Sequence, residues 1–163
     1  MNTRWIIVDG YSVLHAWPQI TKLAGTNLEK RREALIKLLI QFADHTQQRI
    51  TVVFDGYAAK RKQSLTKAKP VSVTNIEVIY SDTGKTADDV IERIIAQTDQ
   101  KNNILVVTSD NMERQTVESL GAHSMSSEMF EIETRTILQE LQQAVKDHSR
   151  RRVLGSIRDR IRH

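Results

Sequence analysis

The sequence contains no cysteine. That excludes a disulfide scaffold, a thiolate zinc site, a cysteine nucleophile and a cysteine-bound iron–sulfur cluster. Proline (2), glycine (6) and aromatic residues (5%) are all scarce. The first two scarcities exclude fibrous and low-complexity chains. The third makes a stacking platform for single-stranded bases look thin. No apolar run approaches the roughly 20 residues that span a bilayer, so no membrane partner is expected. The chain starts Met1-Asn2-Thr3-Arg4 and passes straight into a strand-like segment. No signal or transit pattern precedes it, and a reducing cytoplasm is the expected location. What is present, 163 residues with 39% hydrophobic and 27% charged side chains, suits one globular domain with a core of its own.

Charge is unevenly placed. The net value is +4, yet residues 146–163 alone carry +5, leaving −1 for the rest. Lys146, Arg150, Arg151, Arg152, Arg158, Arg160 and Arg162 supply that excess. A second basic stretch holds Lys60, Arg61, Lys62, Lys67 and Lys69, with no acid between Asp55 and Glu77. Two basic patches on a nearly neutral body suit a polyanion partner; a solvated loop and a solubilising tail is the plainer alternative.

Four short β-branched runs stand out: Trp5–Val8, Ile50–Phe54, Ile76–Tyr80 and Ile104–Val107, with a fifth short strand at Ala122–Met125. Three are nearly continuous in apolar residues, the pattern of strands covered on both faces. Helical spacing occupies Leu28–Phe42, Ala87–Ile95, Met112–Leu120 and Phe130–Val145. Beyond Lys146, Val153, Leu154, Ile157 and Ile161 also recur at helical spacing, although Gly155 opposes a helix there. Alternating strands and helices predict an α/β, doubly wound, mostly parallel sheet of about five strands. Helices cover both faces, and a basic helix ends the chain.

In such folds ligands bind at the carboxyl ends of the strands. Three of the four clear runs are followed there by aspartate: Asp9, Asp55 and, after Thr108-Ser109, Asp110. Asp88 and Asp89 open a helix. With 10 Asp in 163 residues, that coincidence favours a shared purpose. Carboxylates held together repel unless a cation neutralises them. Oxygen ligands without cysteine or clustered histidine suit Mg²⁺ or Mn²⁺, ions that commonly serve phosphoryl chemistry. Capping is the competing explanation for each acid: Thr86-Ala87-Asp88-Asp89 also reads as a capping box. Other phosphate chemistries are missing their parts. Tyr11 stands where a phosphoaspartate hydrolase needs a second Asp, and Gly10 where a receiver domain needs an acid. Ile79 replaces the first glycine of a Walker loop before Gly84-Lys85-Thr86, and a dinucleotide fingerprint and a serine elbow are absent. No nucleotide cofactor is expected.

Six motifs in order carry a resemblance. They are Ile6-Ile-Val-Asp-Gly-Tyr-Ser12, Ala16-Trp-Pro-Gln19, Val52-Val-Phe-Asp-Gly56, Thr86-Ala-Asp-Asp-Val-Ile-Glu92, Val107-Thr-Ser-Asp110 and Gly121-Ala122. Together, over about residues 4–145, they resemble the NYN domain of the YacP family, a group of PIN-like nucleases. The resemblance implies a PIN-like fold and Mg²⁺ or Mn²⁺. It also implies endoribonuclease hydrolysis of RNA, with mRNA on the ribosome as substrate, leaving a 5′-phosphate and a 3′-hydroxyl. It places Asp9, Asp55, Asp88, Asp89 and Asp110 in the acidic site, with Asp9, Asp88, Asp89 and Asp110 as metal ligands. Arg32 matches an arginine on the first long helix, for which a surface ion pair is the alternative. Trp17-Pro18 matches a family feature for which core packing is the expected role. Ser12 departs from the family, which usually has Asn there; a hydroxyl offers less than an amide.

Substrate contacts are expected from Ser12, Ser109 and Ser126, from Lys60, Arg61 and Lys62, and from Arg150, Arg151 and Arg152. Ser126 also suits the N-cap of the last helix. Residues 1–145 would form the nuclease domain and 146–163 a basic extension. Two rival readings are a non-catalytic RNA- or ribosome-binding module with a degenerate site, and an interaction domain whose basic tail docks an acidic partner.

Overall fold

A computed structural model describes residues 4–56 and 75–162 of the chain. Five strands, β1 (Trp5–Asp9), β2 (Arg49–Phe54), β3 (Ile76–Tyr80), β4 (Ile104–Val107) and β5 (His123–Met125), form one sheet. Its order is β3-β2-β1-β4-β5, and every pairing is parallel. Successive residues of the inner strands pack on opposite faces. Ile6, Val8, Ile50, Val52, Phe54, Leu105 and Val107 enter one core. Ile7, Val53, Ile104 and Val106 enter the other. Both faces are dry, which is why these runs read as continuous rather than alternating.

Six helices cover the sheet: α1 (Gly10–Ala16), α2 (Pro18–Ala24), α3 (Leu28–Thr46), α4 (Ala87–Ala96), α5 (Asn111–Ser119) and α6 (Ser127–Ile161). The first three and the start of α6 lie on one face, contributing Leu14, Trp17, Ile20, Leu35, Leu39, Phe42 and Phe130. On the other, α4 and α5 contribute Ile91, Ile95 and Val117. Trp17 is fully buried, lies 5.7 Å from Phe130 between ring centroids, and donates its indole N–H to the Ser127 carbonyl at 2.8 Å. Trp17 thus packs the core as expected and also fixes the start of α6 against the α1–α2 junction, whereas Pro18 is exposed and opens α2 instead of entering the core.

Three elements differ from the expectation. Periodicity does not reveal α1 and α2, which have 7 residues each; their signals are local, an Asp9 cap and Pro18 at a helix start. The last helix is longer than expected. It runs unbroken for 35 residues, through 145 and through Gly155. Every residue from Gln142 to Arg162 on it is exposed. At 100° per residue, Val153, Leu154, Ile157 and Ile161 lie roughly half a turn around the cylinder from Phe130, Thr134 and Ile137, which face the body. Among the described residues no helix is long and apolar enough to cross a membrane.

Candidate active site

The chain builds β1, β2 and β3 outward in one direction, then crosses over to β4 on the other side of β1. That reversal opens a crevice at the carboxyl ends of β1 and β4, where open α/β sheets bind ligands. Asp9 stands there as the last residue of β1 and the N-cap of α1. Its Oδ1 accepts the Ser12 backbone N–H at 3.4 Å, and its Oδ2 accepts the Thr108 hydroxyl at 3.2 Å. Burial raises its pKa; those two hydrogen bonds oppose the rise, and the charges of Asp110 and Asp55 add to it. Gly10 is required next to it, because a Cβ would overlap the Phe54 ring.

Asp110 caps α5, its Oδ1 accepting N–H groups from Met112 at 2.9 Å and Glu113 at 3.2 Å. Asp88, in the first turn of α4, faces the same crevice. Its pKa is pushed up to about 6, first by burial, then by Asp9, Asp110, Glu92 and Asp89. The strongest perturbation falls on Glu113, which is 4% exposed. Burial, the charges of Asp88 and Glu92, a hydrogen bond with Glu92 and the charge of Asp9 push it up to about 8. Among the described residues its Oε1 has no hydrogen-bond partner.

The remaining residues singled out in the sequence fall in several places. Asp55 follows β2 and meets the Ser81 hydroxyl at 3.4 Å. That hydroxyl also accepts the Gly56 N–H at 2.8 Å, and a Cβ on Gly56 would collide with the Ser81 carbonyl. Asp89 is exposed and completes the capping box, accepting the Thr86 N–H at 3.0 Å and donating its own to Thr86 Oγ1 at 3.2 Å. Ser126 caps α6 through the Met129 N–H at 3.2 Å. Arg32 is not on the helix surface: it is 8% exposed and donates to the Tyr11 hydroxyl at 3.2 Å. Arg150, Arg151 and Arg152 lie on the exposed half of α6. Lys60, Arg61 and Lys62 lie outside the described residues.

A family model described as the YacP-like NYN domain matches residues 6–162. The chain belongs to the YacP-like NYN domain family. It is 29% identical over 153 residues to the Bacillus subtilis (strain 168) protein named Uncharacterized protein YacP, covering 93% of this chain and 87% of that one. The crystal structure of Rae1 (YacP) from Bacillus subtilis matches with a TM-score of 0.73 at 29% identity, covering 93% of this chain and 85% of that one. A tryptophan-to-leucine mutant of the same protein matches equally, at 28% identity over 90% of this chain and 84% of that one.

In this YacP-like chain Ser12 has a defined local role. Its hydroxyl accepts the Ser109 N–H at 2.7 Å and pairs with the Ser127 hydroxyl at 2.9 Å. Ser109 in turn donates to Glu128 at 2.7 Å and accepts the Ser127 N–H at 3.2 Å. These hydroxyls pin the turns after β1 and β4 to the start of α6, at the crevice mouth. The YacP-like site also includes two acids that sequence reasoning missed, Glu92 and Glu113. Glu92 was detectable, since it lies four residues after Asp88 on the same helix face. Nothing in Asn111-Met-Glu-Arg114 signals that Glu113 turns inward.

The donor set of the YacP-like crevice is carboxylate oxygen, in which burial first and like charges after it raise several pKa values and, among the described residues, one buried oxygen is left unpaired. That chemistry fits a hard divalent cation. As placed, no three Asp, Glu, His or Cys side chains among the described residues already form a group that could hold an ion; the fit is one of charge and donor type.

Proposed function

We propose that the protein is a metal-dependent endoribonuclease that hydrolyses RNA phosphodiester bonds in the cytoplasm, with mRNA on the ribosome as its substrate. The observation that carries the reading is that the charges of Asp9 and Asp110 both act on Asp88, and that of Asp110 on Asp9, at the strand-order reversal of a YacP-like NYN chain.

Asp9, Asp88 and Asp110 would hold Mg²⁺ or Mn²⁺, with Asp55 supporting Asp9 from the neighbouring strand end. Asp89, engaged with Thr86, contributes charge from the side. Such a cation supplies a lowered water pKa and offsets charge growing on phosphoryl oxygens. The chain's own groups do the positioning. Thr108 and the Ser12 N–H fix both oxygens of Asp9, so a ligand carboxylate is oriented before substrate arrives. Glu113, pushed up to about 8, keeps its proton near neutral pH and limits the repulsion on Asp88. The Arg150–Arg152 segment would add sequence-independent attraction to phosphates.

The test is incubation with single-stranded RNA and with translating ribosomes, in Mn²⁺ or in EDTA. Cleavage in Mn²⁺ that stops in EDTA supports the reading, and intact RNA under all conditions overturns it. One observation favours a second reading, a non-catalytic RNA- or ribosome-binding module: the Ser12 hydroxyl is already engaged by Ser109 and Ser127, and Ser replaces the Asn usual in the family. That module would bind RNA equally with and without metal and cut none.

A further inference from the structure

The composition makes a base-stacking surface look thin, yet the fold gathers three of the eight aromatic residues into one row beside the acidic crevice. The row starts at Tyr11, two residues after Asp9. The Tyr11 ring meets Phe54 edge-on with centroids 5.5 Å apart. Phe54 is fully buried, and its ring fills the space left by the missing side chain of Gly10. Tyr80, paired with Phe54 in the sheet register, stacks on it with centroids 5.6 Å apart and planes 27° apart. Tyr80 is 36% exposed. The row therefore runs from the β1 strand end to an accessible ring at the β3 edge, along the rim that holds Asp9 and Asp55.

We propose that the exposed face of Tyr80 is a nucleobase-stacking subsite, which receives a base of single-stranded RNA next to the phosphodiester held at the acidic rim. The inference rests on the endoribonuclease reading for the identity of the polymer. The spacing of the row supports it: a base laid on Tyr80 extends a stack whose inner member is anchored in the core. Such a platform is ordered in advance, at little entropic cost to binding. Charges of both signs reach Tyr80: Arg32, buried behind the row, donates to the Tyr11 hydroxyl and acts on Tyr80 more strongly than the Glu29 carboxylate does. The Tyr80 phenol, like any tyrosine, is neutral at physiological pH and does not repel phosphate. Stacking is tolerant of base identity. The subsite thus selects unpaired strands over duplex, where bases are already stacked, rather than one sequence over another.

The experiment measures binding of a short single-stranded oligoribonucleotide in Mg²⁺ by fluorescence anisotropy. Asp9→Asn is the common background, so that the strand is not cut. Tyr80→Ala should weaken binding about tenfold, and Tyr80→Phe and Tyr80→Trp should restore it, since only the ring face is needed. Thermal melting of each variant checks that the fold is kept. In the chain with Tyr80 intact, a single abasic position scanned along the strand should reproduce the tenfold loss at one position, and Tyr80→Ala should abolish that positional effect. Equal affinity of Tyr80→Ala and the parent overturns the subsite, as does an abasic scan without a preferred position or a parent that binds no RNA. A chain that cuts RNA but gives equal affinities rejects the stacking alone. A chain that shows the positional effect but never cuts, with Asp9 restored and Mn²⁺ present, supports the stacking and rejects the nuclease.

Discussion

The Thr108 hydroxyl donates to Asp9 Oδ2 across 3.2 Å, joining the ends of two neighbouring strands. The Thr108 hydroxyl oxygen also accepts the Asp110 N–H at 3.2 Å, so one buried hydroxyl sets the positions of two acids. Thr108→Val keeps the shape and removes both bonds. Cleavage is expected to fall about 10- to 100-fold, as for other supporting groups around a metal site, while KM for RNA stays near the parent value. Steady-state kinetics in Mn²⁺ checks this.

Asp9→Asn is expected to abolish cleavage and to leave the melting temperature equal or higher. The neutral amide relieves repulsion with Asp55 and Asp110 while retaining an oxygen for one of the two bonds. Parent-level cleavage by this variant would remove Asp9 from the mechanism. A melting temperature several degrees lower would show that its role as the cap of α1 dominates.

Stability should fall as pH rises from about 4 to 8. In the unfolded chain Glu113 and Asp88 titrate at their ordinary values of 4.5 and 3.8; in the folded chain they titrate at about 8 and about 6. Between those limits the folded state binds more protons than the unfolded state, so raising the pH favours unfolding. Glu113→Gln should flatten the profile, and Mn²⁺ should raise stability most at the alkaline end, where the carboxylates are ionised. Thermal melting across this range, with and without Mn²⁺, gives the result. A flat parent profile would show that these acids are not crowded in solution.

Gly56→Ala should destabilise the fold by about 2 kcal/mol or more. The new methyl group meets the Ser81 backbone carbonyl, which cannot swing aside as a side chain would, and the bond from Gly56 N–H to Ser81 Oγ is disturbed with it. Gly84→Ala faces open space at a positive φ of 79° and should cost less, about 1 kcal/mol of backbone strain. Denaturant melts of the two variants rank the effects; a larger loss at Gly84 contradicts the steric account.

A chain ended at Val145 should keep a stability within about 1 kcal/mol of the full one, because every described residue removed is exposed. Its RNA affinity should fall. The slope of log affinity against log salt should shrink by about 0.7 for each arginine or lysine that had met a phosphate. An unchanged slope would show that the helix end does not touch RNA.

The strands and the acids at their ends were legible because a doubly covered parallel strand leaves a continuous apolar run and its end is marked by Asp-Gly or Thr-Ser-Asp. The capping role of Asp89 was legible too, from the spacing to Thr86. What was not legible depends on packing between elements. The burial of Glu113 follows from how α5 meets α4. The row of Tyr11, Phe54 and Tyr80 follows from a register between strands that lie far apart in sequence. Arg32 reads as a surface residue because its helix is charged on most sides; it is buried because α3 packs on α1, where it meets Tyr11.

The two halves of α6 present apolar residues in opposite directions. At 1.5 Å per residue the helix is about 50 Å long, and its first turn is tied to the crevice mouth while its far end stands clear. If the outer half bent back toward the body, it would lay down Arg152, Ser156 and Asp159, with Val153, Leu154 and Ile157 left facing water. The far half is therefore built as a handle rather than a latch: among the described residues it has no seat on its own body.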